Sequence, residues 1–194
     1  MRELSLLLAM VCSAGIAGAT TPVDRAELPP RATGWQESGL GAVRGVTIGP
    51  IESALHPDKG YGSPACAESL SEARRMGANW VSLTPFGRVW DLAPSGVSPT
   101  FEREYSENRA AVRRSIEQAQ AEGLRVLLVP HLWVETGGWR ALIDPGDDAR
   151  WAIWAASYRE FLLGWAKLAA ETGVDMLSVG VVLRSWLSTS RAPS

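Results

Sequence analysis

Two short segments of this chain set cationic, polar and aromatic side chains directly behind apolar runs. They are Thr84-Pro85-Phe86-Gly87-Arg88 after Trp80–Leu83, and Pro130-His131-Leu132-Trp133 after Leu124–Val129. A third, Gly138-Trp139-Arg140, follows closely. Guanidinium, imidazole and indole groups bring hydrogen-bonding capacity and flat apolar faces, a set suited to hydroxyl or carboxylate recognition and to stacking. Arg88 fits that role better than Arg125, which belongs to the opposite end of its strand. His131 and Trp133 are two apart and point the same way if the strand continues. For His131 two readings stand, a rim position and a buried ring bonded to backbone. Trp139 and Arg140 wall a cleft, or Trp139 packs its own loop. Glu135 and Asp144, the loop carboxylates near this rim, read as solvated charge.

The elements that position these residues announce themselves by a repeat. Helix-like stretches end at Gly77, Gly123 and Gly173, and each glycine runs into an apolar strand. Glycine supplies the left-handed backbone that stops a helix. Strands are expected at Val43–Ile48, Asn79–Thr84, Leu124–Val129 and Met176–Leu183, and helices at Ala65–Met76, Glu104–Glu122 and Asp147–Thr172. Long loops are expected at Ile51–Pro64, which carries His56 and Gly60-Tyr61-Gly62-Ser63, and at Pro85–Thr100. Loops of that length at strand carboxyl ends often touch ligand. The last helix carries Trp151, Trp154, Tyr158, Phe161 and Trp165 at three- and four-residue intervals, a face expected to pack inward.

Strand–helix–strand repetition with long loops after the strands and tight connections before them implies an α/β fold, the N-terminal half (about four βα units) of a (β/α)₈ TIM barrel. The folded part is expected over residues 42–194. Residues 20–41, with Pro29-Pro30 at their centre, read as a linker. Residues 1–19 read as a signal peptide, from Arg2, the apolar run Leu4–Val11 and the small-residue site Ala17-Gly18-Ala19. That run is shorter than the about 20 residues a membrane span needs, so a secreted or periplasmic chain is expected. The alternative is a lipoprotein anchored through Cys12, against which Val11 is a poor match.

Composition removes other classes. Nine tryptophans stand out in 194 residues, yet the formal charge is only −2. With no Lys/Arg cluster, nucleic acid is an unfitting partner. Once the leader is removed, Cys66 is the lone thiol, which leaves no disulfide and no thiol or metal chemistry to expect. Neither a G-x-G-x-x-G motif after a strand nor a P-loop occurs, so no cofactor is expected.

The segments Gly77–Arg88, Gly123–Val134 and Gly138-Trp139-Arg140, continued by the aromatic helix and by Val179-Gly180-Val181-Val182-Leu183-Arg184-Ser185, resemble glycoside hydrolase family 113 and its TIM-barrel relatives. Gly60-Tyr61-Gly62-Ser63 is similar to that group's first loop. The resemblance implies a retaining hydrolase of β-linked mannose-type polysaccharides, working through two carboxyl groups about 5–5.5 Å apart. It places the acid/base Glu in a Gly-x-Glu-Leu context at the end of strand four, where this chain has Val182. It places the nucleophile near strand seven, beyond Ser194. Val129 also departs from the lysine that relatives often carry before Pro-His. The resemblance therefore implies sugar contacts from Arg88, His131, Trp133, Trp139 and Arg140, with no catalytic residue and no cleavage. A non-catalytic carbohydrate-binding protein is the alternative, and an unrelated open α/β sheet a third reading. Half a barrel has open sheet edges, from which self-association is expected.

Overall fold

A computed structural model describes residues 43–49, 58–101, 103–181 and 184–185. The expected leader, the linker, Cys12, His56 and Val182 lie outside the described residues.

Four parallel strands form the main sheet in the order β1 (Gly45–Ile48), β2 (Trp80–Leu83), β4 (Arg125–Leu128) and β6 (Met176–Leu177). Three helices connect them: α1 (Pro64–Arg75), α2 (Tyr105–Ala121) and α3 (Asp148–Thr172). All three glycines expected to stop helices have positive φ, 91° at Gly77, 73° at Gly123 and 65° at Gly173. In α1 the helix starts one residue before the expected Ala65, because Ser63 accepts a hydrogen bond from the Cys66 amide at 3.1 Å and Pro64 tolerates the first position.

Alternation along the strands separates two faces. Val46, Ile48, Val81, Leu83, Val126 and Leu128 join α1, α2 and α3 in one hydrophobic core. Thr47, Ser82 and Leu127, side by side in register, are partly exposed on the other face. Within α3, Trp154 and Trp165 are fully buried, and Trp154 stacks on Tyr158 at 5.0 Å with the rings 7° from parallel. The aromatic stripe of this helix is therefore core, as its spacing implies.

Three expectations change. The segment Pro85–Thr100 is not all loop: β3 (Phe86–Val89) pairs in parallel with β5 (His131–Val134) as a second, two-stranded sheet. Carrying the Leu83↔Leu128 register forward sets Pro85 opposite Pro130 and arrives at Phe86↔His131, so each long strand is interrupted at a proline and resumes without slipping. Proline has no N–H for the ladder, which breaks the pairing there. The last strand ends at Leu177 rather than Leu183. Ser178 N–H still donates to Leu128 O at 2.9 Å, but farther along its neighbour presents Pro130, and Val179 is exposed. Residues 182–183 of the expected strand fall outside the described residues. Finally, part of the first long loop turns inward at Gly60, Tyr61 and Ser63, while Asp58 and Lys59 stay exposed. Tyr61 Oη donates to Ile48 O at 2.6 Å and accepts from Thr84 N–H at 2.8 Å, tying the loop to β1 and β2.

Candidate functional site

The small β3/β5 sheet builds the site. Its register pairs Phe86 with His131 and Arg88 with Trp133. Leu132, Val134 and Val89 turn into the core, so the four paired side chains occupy the opposite, accessible face. Gly87 lies between Phe86 and Arg88 because α3 presses on its back: a Cβ there would stand 2.7 Å from Phe161 and 2.8 Å from Val97. The same contact fixes the height of β3 and hence of Arg88.

Aromatic rings line this face. Phe86 contacts Phe101 at 5.2 Å, His131 at 5.3 Å and Trp133 at 5.8 Å between centroids, and Phe101 meets Trp133 at 6.0 Å. The Arg88 guanidinium lies 5.5 Å from the centre of the Phe101 ring and is ion-paired to Glu135 at 3.3 Å. Arg88 is thus held between a carboxylate and a π-face, each favouring its charge.

His131 is half-buried beside Arg140, whose Nη1 lies 2.8 Å from its Nε2 and 3.1 Å from its Nδ1. The Leu132 amide donates to Nδ1 at 2.8 Å. Burial, and then the Arg140 charge, lower the imidazole pKa to about 4. The ring is therefore neutral at pH 7, with one nitrogen able to donate and one to accept. Burial also lowers the Arg140 pKa.

Of the residues singled out in the sequence, Arg88, His131, Trp133 and Arg140 come together. Trp139 adjoins Arg140 and is exposed. His131 combines both readings, since its ring is half-buried with a backbone bond and still belongs to the accessible face. Neither loop carboxylate is a simple solvated charge. Glu135 pairs with Arg88, whereas Asp144 accepts from Trp151 Nε1 at 3.1 Å and from the Gly146 amide at 3.0 Å, fastening the loop to α3. Arg125 sits at the far end of β4, paired with Asp175 at 3.4 Å. Sequence reasoning missed Phe86 and Phe101 as part of the face. Phe86 carried a usable signal, its two-residue spacing from Arg88, but Phe101 reaches the cluster through a long-range fold-back.

Among the described residues no group of three or more His, Cys, Asp or Glu side chains is gathered to hold a metal, and no helix is long and apolar enough to cross a membrane.

Parallel strands backed by helices, with aromatic and cationic groups at the strands' carboxyl ends, define half of a (β/α)₈ barrel. The model of Glycoside Hydrolase Family 113 matches residues 54–189, and the chain belongs to that family. Among solved structures it is similar to a family 113 β-mannanase from Alicyclobacillus acidocaldarius in complex with ManMIm, with TM-score 0.63 and 25% identity over 76% of this chain and 47% of that one. A complex of a family 113 β-1,4-mannanase matches with TM-score 0.59 and 22% identity over 73% of this chain and 46% of that one. The chain spans less than half the length of these structures. No curated protein matches it.

Proposed function

We propose that the chain is the amino-terminal part of a secreted glycoside hydrolase-like protein that grips a mannan-type polysaccharide without cleaving it. The observation that carries the sugar-holding half of this reading is the β3/β5 register, which gathers Phe86, Arg88, His131 and Trp133 on one accessible face, with Arg140 against His131. A pyranose ring has an apolar C–H face for an aromatic platform and hydroxyls for Arg88, His131 and Arg140. Trp139, exposed and adjacent to Arg140, is assigned to the edge of the same face.

The absence of cleavage rests on the family resemblance around Gly180-Val181-Val182-Leu183, where a valine stands at the acid/base position. Loss of a general acid alone lowers rates by about 10²–10⁴-fold. The purified chain is expected to release no reducing sugar from mannan or a β-mannoside, and release above a buffer control would overturn this part. Restoring the acid alone, by Val182→Glu, is a stringent companion test. The variant should remain inactive on unactivated mannan while it lacks a nucleophile partner, and activity in it would overturn the assignment of the missing carboxylate.

The exposed aromatic face favours a second reading, a non-catalytic carbohydrate-binding protein that retained the aromatic rim while losing the acid. It shares the first test and adds another: isothermal titration with manno-oligosaccharides should give measurable heat. No heat on folded protein would remove both binding readings. Export through residues 1–19 is part of the proposal, with attachment through Cys12 as its rival. Mass spectrometry of the mature amino terminus distinguishes an Ala19–Thr20 cut from a lipidated cysteine.

A further inference from the structure

We propose that the main sheet is an interface for a second copy of this chain: β6 of each copy pairs with β1 of the other, and the parallel strands of both close into one ring. Such closure is independent of whether the rim takes sugar. It starts from the two edges of the sheet. Among the described residues these are β1 and β6, and all four strands run the same way. Trp80 N–H donates to Arg44 O at 3.1 Å, which sets the alternation along β1: Val46 turns its N–H and C=O to β2, and Thr47 turns both to the open side. On β6, Ser178 N–H donates to Leu128 O at 2.9 Å, so Leu177 is the residue turned outward. Apolar side chains accompany both edges. Val43 before β1 is 40% exposed, Val179 after β6 is 72% exposed, and Met176 and Leu177 are half-buried.

The sheet also has one open face. Helices α1, α2 and α3 cover one side, whereas Thr47, Ser82 and Leu127 are partly exposed on the other. Purely parallel sheets are covered on both faces, so this face calls for a further layer. Unpaired edges call for further strands. Ring closure meets both demands at once.

Symmetry selects the occupant. A two-fold axis along the strands, on the side of the open face, brings β6 beside β1 of the copy and β1 beside the copy's β6, both in parallel. Four strands from each copy then make eight, the number at which interior side chains just fill a barrel. An axis across the strands would join like edges antiparallel and leave the other two unpaired. A single added segment would cover one edge, whereas a second copy satisfies both with the strand direction each requires. The register passes the proline break without slipping, so Phe86, Arg88, His131 and Trp133 continue the open face toward the strands' carboxyl ends. In the closed pair the two rims therefore look at each other across one mouth, and each copy supplies half of its wall.

Sedimentation velocity on the chain should show monomer and one dimer, of twice the 20.9 kDa mass, with nothing larger as the concentration rises. Thr47→Pro takes away an outward donor and keeps the bonds to β2, a substitution that edge strands accept. Val179→Lys sets a charge at a position already in water. Each should raise the dimer dissociation constant by roughly 10-fold or more, since every change counts in two joints, and should leave the melting of the dilute monomer little altered. Hydrogen exchange at the Thr47 and Leu177 amides should slow on dimerisation. A monomer at every concentration, or a continuing series of larger species, would overturn the closed pair. So would a dimer that tolerates both substitutions, or one whose Thr47 and Leu177 amides exchange as freely as in the monomer. Slow exchange at those amides in a monomer would overturn it too, by showing that another part of the same chain covers the edges.

Discussion

His131 is surrounded by donors. The Leu132 amide points at Nδ1, and Arg140 lies near both ring nitrogens. Adding a proton brings a positive charge into a half-buried place next to another, which is why its pKa falls to about 4. An unfolded chain takes up that proton near pH 6.5. Between these values the unfolded state binds more protons, so stability is complete above about pH 6.5 and declines as the pH drops toward 4. Allowing for solvent screening of a partly exposed ring, the decline amounts to about 1–2 kcal/mol. Urea titrations at pH 7 and pH 4.5 should register it, and His131→Gln should reduce the difference. Glu135→Gln frees Arg88 from its ion pair, so mannotriose affinity should fall while the melting temperature changes little, as for a half-exposed pair. At this scale Arg88, His131 and Arg140 could be read from the sequence, because their motifs follow apolar runs. The partners that hold Arg88, Glu135 and Phe101, could not, since only the completed fold brings them to it.

The elements owe their precision to a few close approaches. Gly87→Ala would force a methyl against Phe161 and Val97, both in the packed core. Overpacking of this kind costs about 1–3 kcal/mol. Thermal unfolding should report that loss, and with β3 displaced, sugar binding should weaken as well. At the other end of the sheet, Arg125 and Asp175 are a pair with side chains only 9% exposed, and Asp175 also accepts from the Val126 amide at 2.9 Å. Asp175→Ala strands a buried guanidinium, for which about 3–5 kcal/mol is the expected loss. Helices were legible in their glycine stops and in the tryptophan stripe of α3. The β3/β5 sheet was not, because the prolines that open Pro85-Phe86-Gly87-Arg88 and Pro130-His131-Leu132-Trp133 read locally as the beginning of loops. Only the unchanged register across them reveals strands that pause and resume.

For the whole molecule, the asymmetry between tight connections before the strands and long segments after them was enough to identify half a barrel. The family match and the likeness to two β-mannanase structures agree with it. Among the described strands, β1 and β6 each have a single neighbour in the main sheet. Unpaired strand edges recruit other chains. The 194-residue chain, prepared alone, is therefore expected to associate as its concentration rises, which sedimentation velocity would detect; a monomer at every concentration would count against open edges. What the sequence left hidden at this scale is the division of the sheet into a lower body and an upper rim.

That division has its own effect on how the rim behaves. Across the break, Val129 N–H reaches Leu83 O and His131 N–H reaches Pro85 O, both at 2.8 Å, so the surviving links are donated by one strand alone. A seam stitched from one side resists sliding but yields to tilting. Alignment of the two strands is thereby preserved while the angle between body and rim is left the softer coordinate, with no strand changing partners.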